Sequence, residues 1–80
     1  METMLGEIEL FPFTFVPRGW MLCNGQTLNI AQYQALYSLL GAAYGGDGRS
    51  TFAVPNLLGT EPVPNTKYYI AIEGFYPTRN

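Results

Sequence analysis

Two acidic residues, Glu7 and Glu9, stand two positions apart and are the first candidates for chemistry in this sequence. A carboxylate pair can act as acid and base in glycoside hydrolysis when the two groups face each other across a cleft. Ile8 and Leu10 alternate with these acids, which predicts a half-buried strand over residues 6–10. A chain of 80 residues is too small to form a deep cleft, so we interpret the glutamates as part of a solvated strand face.

A second candidate is the glycine-rich run over residues 45–50, GGDGRS. Consecutive glycine amides can bind phosphate, but a phosphate loop needs a lysine after its last glycine and a helix that begins there. Arg49 takes the lysine position here, and the predicted helix precedes the run. Asp47 has no acidic neighbour in the loop, as a calcium site would require. We therefore interpret the run as a structural turn that needs positive φ at its glycines.

Nucleophilic catalysis needs a base beside the nucleophile, and the sequence has no histidine and a single cysteine, Cys23. The serines and threonines therefore lack the usual partner of a catalytic triad. Cys23 follows Leu22 in an apolar stretch, which predicts a small buried side chain and not a reactive thiol. One cysteine also excludes an internal disulfide. We expect no enzyme activity, no metal and no other cofactor.

Charged residues form 12% of the chain and aromatic residues 15%, against about 25% charge in an average domain. Four basic residues are scattered among six acidic ones, so the sequence has no cationic stripe for nucleic acid. Residues 1–9 carry acids where a signal peptide needs a basic start, and no apolar run reaches the ~18 residues of a membrane span. We expect a protein that is made in the cytoplasm and stays there or leaves inside a particle.

The length of 80 residues predicts a single domain over residues 1–80, because so short a chain cannot divide a core between two units. Such a core yields only about a few kcal/mol once the cost of ordering the backbone is subtracted. With disulfides and metals excluded, oligomerisation or docking is the remaining source of stability. The sequence therefore predicts other protein subunits, including copies of itself, as partners.

The residue pattern predicts an α+β fold, in which a small antiparallel sheet carries one helix and the loops are long and rich in glycine and proline. In the last strand, Tyr68, Ile70 and Ile72 alternate with Lys67, Tyr69, Ala71 and Glu73, and this strand must pair with an earlier one. Residues 58–65 contain two prolines and predict a short connector to that strand. The predicted strands and extended pieces cover residues 6–10, 19–24, 51–54 and 67–73.

The spacing changes to that of a helix over residues 31–40, where Tyr33, Leu36, Tyr37 and Leu40 share one face. Gly41 predicts the end of this helix. At its start, Asn29 followed by Gln32 resembles a capping box, and Ala31 followed by Gln34 is an equally spaced alternative that lacks the cap side chain.

The dipeptide Asn24-Gly25 tolerates positive φ and precedes Thr27-Leu28. It predicts a tight hairpin between the strand at residues 19–24 and the residues that follow. Trp20, preceded by Gly19, is expected at the centre of the core.

Six aromatic side chains are candidates for a surface that contacts other subunits or sugar rings. Packing in the core is the alternative, and the sequence leaves both open, because so small a domain cannot bury all of its aromatic residues. The six are Phe11, Phe13, Phe15, Tyr33, Tyr37 and Tyr44.

Four ordered blocks of the sequence resemble the phage tail-collar domain, a family that includes the so-called microcystin-dependent proteins. The blocks are FVPRGWMLCNGQ at residues 15–26, QALYSLLG at 34–41, YGGDG at 44–48 and FAVPNL at 52–57. Residues 70–80, IAIEGFYPTRN, resemble the C-terminal signature of the same proteins. Within the blocks we assign structural roles to Gly19, Trp20, Cys23, Asn24, Gly25, Gly41, Gly45, Gly46, Asp47, Gly48, Phe52 and Pro55.

The resemblance implies a non-enzymatic structural or adaptor subunit of a phage tail, a tail fibre or a phage-derived injection particle, multimeric and often trimeric in fibres. Its implied location is the virion tail or an extracellular particle. Longer members of the family carry a Gly- and His-rich stretch where this chain has residues 58–65, and this chain has no histidine, so their metal site is not carried over. The alternative reading is a stand-alone adhesin or lectin-like module that binds a surface glycan.

Phe13 departs from the resemblance, because the family has a small residue at this position. We interpret Phe13 as an added contact for a partner subunit. The substitution Phe13→Ala is expected to weaken assembly while the protomer stays folded, as measured by size-exclusion chromatography and circular dichroism. Intact assembly with a lower melting temperature would place Phe13 in the core instead.

Overall fold

The computed structural model describes residues 3–12 and 14–78, and Phe13 lies outside these ranges. The described chain forms five short strands and one helix. In chain order they are β1 (Ile8–Phe11), β2 (Trp20–Leu22), β3 (Thr27–Asn29), α1 (Gln34–Leu40), β4 (Thr51–Ala53) and β5 (Lys67–Ala71). The predicted α+β class is confirmed, although the strands form two antiparallel sheets and not one.

The last strand in the sequence, β5, is the central strand of the three-stranded sheet and lies between β1 and β2. Ile70 is paired with Ile8 on one side and with Met21 on the other. Tyr69, Ile70 and Ala71 are each at most 3% exposed. Side chains therefore cover both faces of this strand, since Tyr69 alternates with Ile70 and both are buried.

Trp20 lies on the face of this sheet that points away from the main core, so its predicted place at the core centre is wrong. Its ring meets the ring of Phe11 edge to face, with centroids 5.2 Å apart, and Phe11 also contacts Tyr69 at 5.7 Å. The reason is strand alternation: Met21 packs against the main core, which turns Trp20 to the opposite side. The fully buried centre instead consists of Phe52, Leu36, Ile70, Val54 and Cys23.

The second sheet pairs β3 with β4 and places Phe52 opposite Leu28. The predicted hairpin at Asn24-Gly25 is wrong, because β2 pairs with β5 and β3 pairs with β4. Gly25 N–H instead donates to Pro55 O at 3.3 Å. Asn24-Gly25 thus joins the two sheets and lets the chain cross from one to the other.

Helix α1 is shorter than predicted and begins at Gln34, and neither predicted capping box forms. The residue before it, Tyr33, makes no side-chain cap, while Asn29 Oδ1 accepts a hydrogen bond from Ala31 N–H at 2.9 Å. This local bond holds residues 29–31 in a turn before the helix. Leu36 is the buried residue of the helix, and Gly41 ends it at φ 61°, with its N–H on Tyr37 O at 2.7 Å.

Strand β1 begins two residues later than predicted, because a β-bulge precedes it. Gly6, at φ 85°, donates its N–H to Ala71 O at 2.9 Å, while Ala71 N–H donates to Glu7 O at 2.8 Å. Gly6 and Glu7 therefore lie opposite the single residue Ala71, and Gly6 has the left-handed backbone conformation. Ile8 was expected to be buried, but it is 40% exposed because β1 is an edge strand.

Gly46 offers the sharpest test of the packing in the second sheet. Its φ is 85°, and a Cβ built there would lie 2.6 Å from Thr51 O and overlap the Phe52 backbone. Gly46→Ala is expected to lower the free energy of unfolding by at least ~3 kcal/mol, which combines backbone strain with overpacking. Urea denaturation measures this change.

The matched control is Gly59→Ala, since Gly59 has φ 86° but no heavy atom within 4 Å of its added Cβ. It should cost only the ~1–2 kcal/mol of the left-handed conformation. Equal destabilisation by the two substitutions would show that the contact with β4 is unimportant.

Candidate functional site

A candidate contact surface forms where the first and last described segments of the chain meet. Leu5 N–H donates to Phe75 O at 2.9 Å, and Phe75 N–H donates to Thr3 O at 3.0 Å. Met4 and Phe75 are paired in a parallel bridge, so their side chains share one face. Leu5 points the other way and is 6% exposed, whereas Met4 and Phe75 remain in solvent.

Helix α1 extends this surface through Leu39. A Cβ built on Gly6 would lie 3.5 Å from Leu39 Cδ1, so Leu39 packs over the backbone of the bulge. Tyr76 is tied to the same helix, because its hydroxyl lies 2.6 Å from Ser38 Oγ. Since Ser38 Oγ donates to Ala35 O at 2.6 Å, the Tyr76 hydroxyl is the donor in that pair.

We call Met4, Leu39, Phe75 and Tyr76 the terminal surface. Their exposed fractions are 37%, 36%, 50% and 48%. A cavity of about 390 Å³ opens beside it, lined by Ser38, Leu39, Tyr76, Pro77 and Thr78. Neighbouring apolar side chains with this much exposure are typical of a protein contact site.

The sequence did not single out these four residues. Of the four, only Leu39 is indicated by the sequence pattern. It is an apolar residue outside the apolar face formed by Leu36, Tyr37 and Leu40, where a solvated helix would carry a polar residue. Met4 and Phe75 meet through pairing of distant segments, which no local periodicity reports.

Five of the six aromatic residues predicted for a partner surface are described and lie in different parts of the fold, while Phe13 lies outside the described residues. Phe15 and Tyr44 are 63% and 54% exposed. Phe11 packs against Trp20 on the face of the three-stranded sheet that points away from the main core. Tyr33 and Tyr37 pack against the main core, and Tyr37 Oη donates to Gly48 O at 3.2 Å. Contact of these residues with a partner stays a prediction.

Asp47 organises the glycine-rich loop with its own carboxylate. Oδ1 accepts hydrogen bonds from the N–H groups of Arg49, Ser50 and Thr51 at 2.8, 2.9 and 3.0 Å. Oδ2 accepts from Ser50 Oγ at 3.1 Å. These donors favour the ionised form and hold the pKa of Asp47 well below its ordinary value. The amides that a phosphate would need are therefore already occupied.

Glu7 lies just before β1 and Glu9 lies within it, so their carboxyl groups are neighbours. Hydrogen bonding with the Glu9 carboxyl, together with the Met4 N–H that donates to Glu7 Oε1 at 3.1 Å, lowers the pKa of Glu7. The neighbouring Glu7 carboxyl raises the pKa of Glu9. The two groups sit on an open strand and do not face each other across a cleft.

Cys23 is 1% exposed, and its burial raises the pKa of the thiol to about 11. The thiol is therefore protonated at neutral pH and is not a nucleophile. In the described ranges, no three His, Cys, Asp or Glu residues come close enough to hold a metal ion. Nor does any helix there have the length and apolar character needed to cross a bilayer.

Comparison with known proteins identifies a family and a relative. Residues 6–62 match the Phage Tail Collar Domain family. Protein RhiB of Rhizobium leguminosarum bv. viciae is 42% identical over 53 residues, which cover 60% of this chain and 24% of RhiB. The matched part thus spans about a quarter of that relative. No solved structure gives a significant match.

Acid titration tests the role of Asp47. Because its pKa is depressed in the folded protein, Asp47 stabilises the fold fully above the unfolded-state pKa of about 3.9 and loses this effect as the pH falls below it. Asp47→Asn should be less stable than the parent at pH 7 and should lose less stability on acidification. Chemical denaturation at a series of pH values measures both.

The matched control is Glu73→Gln, which removes one carboxylate from a different loop and should keep the parent's acid dependence. An unchanged acid dependence in Asp47→Asn would contradict the role assigned to its hydrogen bonds.

Proposed function

The chain belongs to the phage tail collar domain family, and on that premise we propose that it is a non-enzymatic structural or adaptor subunit of a phage tail, a tail fibre or a phage-derived injection particle. It acts by assembling with other protein subunits, including copies of itself. The observation that carries this proposal is the terminal surface, an apolar surface in a chain whose charged fraction is 12%.

The composition of the exposed surface supports assembly. Ten large hydrophobic side chains among the described residues are at least 36% exposed. Scattered single residues of this kind are ordinary on a monomer, but neighbouring ones mark contact sites. Met4, Leu39, Phe75 and Tyr76 are neighbours, and they are held by backbone bonds and by the bond between Ser38 and Tyr76. The surface is thus built before a partner arrives, which lowers the entropy lost on binding.

The magnitude of this surface indicates a weak pairwise contact. Covering its exposed apolar area, on the order of 300 Å² on one partner, contributes roughly 7 kcal/mol at 25 cal/mol per Å². Lost translational and rotational freedom costs about 4–15 kcal/mol on association. One such contact gives weak binding, so stable assembly needs several contacts at once, as in a multimer or a particle.

The family match covers Leu39 but ends before Phe75 and Tyr76. We infer that the collar fold supplies the scaffold, while the C-terminal segment supplies half of the contact surface. Catalysis is not part of the proposal, since the carboxyl pair lies open and the thiol is buried and protonated. Glycan binding through exposed tyrosines stays a prediction that no structural observation favours.

A paired substitution tests assembly through the terminal surface. Leu39→Ser with Phe75→Ser removes two half-exposed apolar side chains and should shift the chain toward monomer, with the apparent dissociation constant raised at least tenfold. Size-exclusion chromatography with light scattering over a range of protein concentrations measures the change, and circular dichroism checks the fold.

Leu58→Ser with Val63→Ser is the matched control. These side chains are 45% and 51% exposed but lie in the connector and outside the terminal surface, so association should keep its parental strength. A parent chain that stays monomeric at millimolar concentration would contradict the proposal, as would equal effects of the two pairs.

A further inference from the structure

The outer edge of β1 carries backbone groups with no strand beside them in the described parts of the chain. β1 pairs with β5 on one side only. Ala71 N–H donates to Glu7 O, so the carbonyl of Glu7 points to β5. Antiparallel pairing alternates from residue to residue, and the N–H and C=O groups of Ile8 and Leu10 therefore point away from β5. They offer two donors and two acceptors to an added strand.

The two faces of this edge differ in chemistry. Ile8 lies on the same face of the sheet as its paired residue Ile70, but it is 40% exposed. Glu7 and Glu9 lie on the opposite face, two residues apart. An added strand would thus place every second side chain beside an acid and the others beside Ile8. The edge selects a strand that alternates basic and apolar residues.

In the part of the chain that the structure describes, the two glutamates have no ion-pair partner. Within residues 3–12 and 14–78 neither forms an ion pair, and Lys67 is paired with Phe11 at the other end of β1. The neighbouring Glu7 carboxyl raises the pKa of Glu9 by hydrogen bonding and by charge repulsion. A lysine or arginine from a partner would relieve this repulsion.

A second copy of this chain fits the edge poorly. Antiparallel self-pairing that uses the free groups of Ile8 and Leu10 sets Glu9 opposite Glu9 of the other copy, or Glu9 opposite Glu7 when Ile8 pairs with itself. Like charges directly opposite destabilise a strand pair. Acids and a bulge are also the devices by which proteins keep edge strands from self-association. The same acids favour a cationic strand.

We propose that the outer edge of β1 is a strand-addition site for an extended segment of a partner subunit that carries basic residues at alternate positions, with apolar residues between them. This inference rests on the proposed assembly function and names the chemistry of one partner. The partner segment hydrogen bonds to Ile8 and Leu10, covers the Ile8 side chain and places its cations beside Glu7 and Glu9.

The experiment uses the whole chain labelled with ¹⁵N and a synthetic peptide of six alternating lysine and valine residues. Binding should shift the amide resonances of residues 7–11 and slow deuterium exchange at Ile8 and Leu10. A peptide with glutamate in place of lysine is the charge control and should bind at least tenfold more weakly. Ile8→Pro removes an outward N–H without removing a bond to β5 and should reduce binding at least fivefold.

Glu9→Gln removes one charge from the site and should raise the dissociation constant about threefold to fivefold. Glu73→Gln removes one charge elsewhere and should leave the dissociation constant unchanged.

Binding that Ile8→Pro does not weaken would overturn strand addition in favour of simple charge attraction. If neither peptide binds, strand addition is overturned, and the acids serve only to prevent other strands from pairing with β1. Either failure leaves assembly through Leu39 and Phe75 intact, which the chromatography reports separately.

Discussion

The packing of Phe52 against the glycine-rich loop is the contact on which the rest of this small fold depends. Phe52 is 0% exposed, pairs with Leu28 across the second sheet and meets the ring of Tyr37 at 5.3 Å. The loop closes over it only because Gly46 has no side chain, and the carboxylate of Asp47 then collects three backbone amides. Strands of three to five residues cannot hold such a core by pairing alone, so the loop acts as a structural element.

The proposed assembly rests on the limit that this core sets. Ten hydrophobic residues of the described chain are buried, and ten large ones remain at least 36% exposed. Without a disulfide among the described residues, little else stabilises the fold. The chain therefore has apolar surface left over, part of which lies on the terminal surface. The chain belongs to the phage tail collar domain family, and we propose that neighbouring subunits cover this surplus.

The sequence predicted what local patterns control and missed what depends on pairing between distant segments. Alternation and turn residues located β2, β4 and β5, and Gly41 ended the helix where expected. The predicted hairpin at Asn24-Gly25 does not form, because β2 pairs with β5 from the far end of the chain. The predicted position of Trp20 was wrong because alternation alone does not tell which face of a sheet packs against the core. The terminal surface was missed for the same reason, since Met4 and Phe75 meet only in the folded chain.

Hydrogen–deuterium exchange of the parent chain at low and high protein concentration tests the central claim, that apolar surface left open by this core is covered by other subunits. We expect slower exchange at high concentration in peptides that contain residues 3–6, 36–41 and 74–76, and unchanged exchange in the connector at residues 58–65. Exchange that does not depend on concentration in any of these peptides would contradict the account.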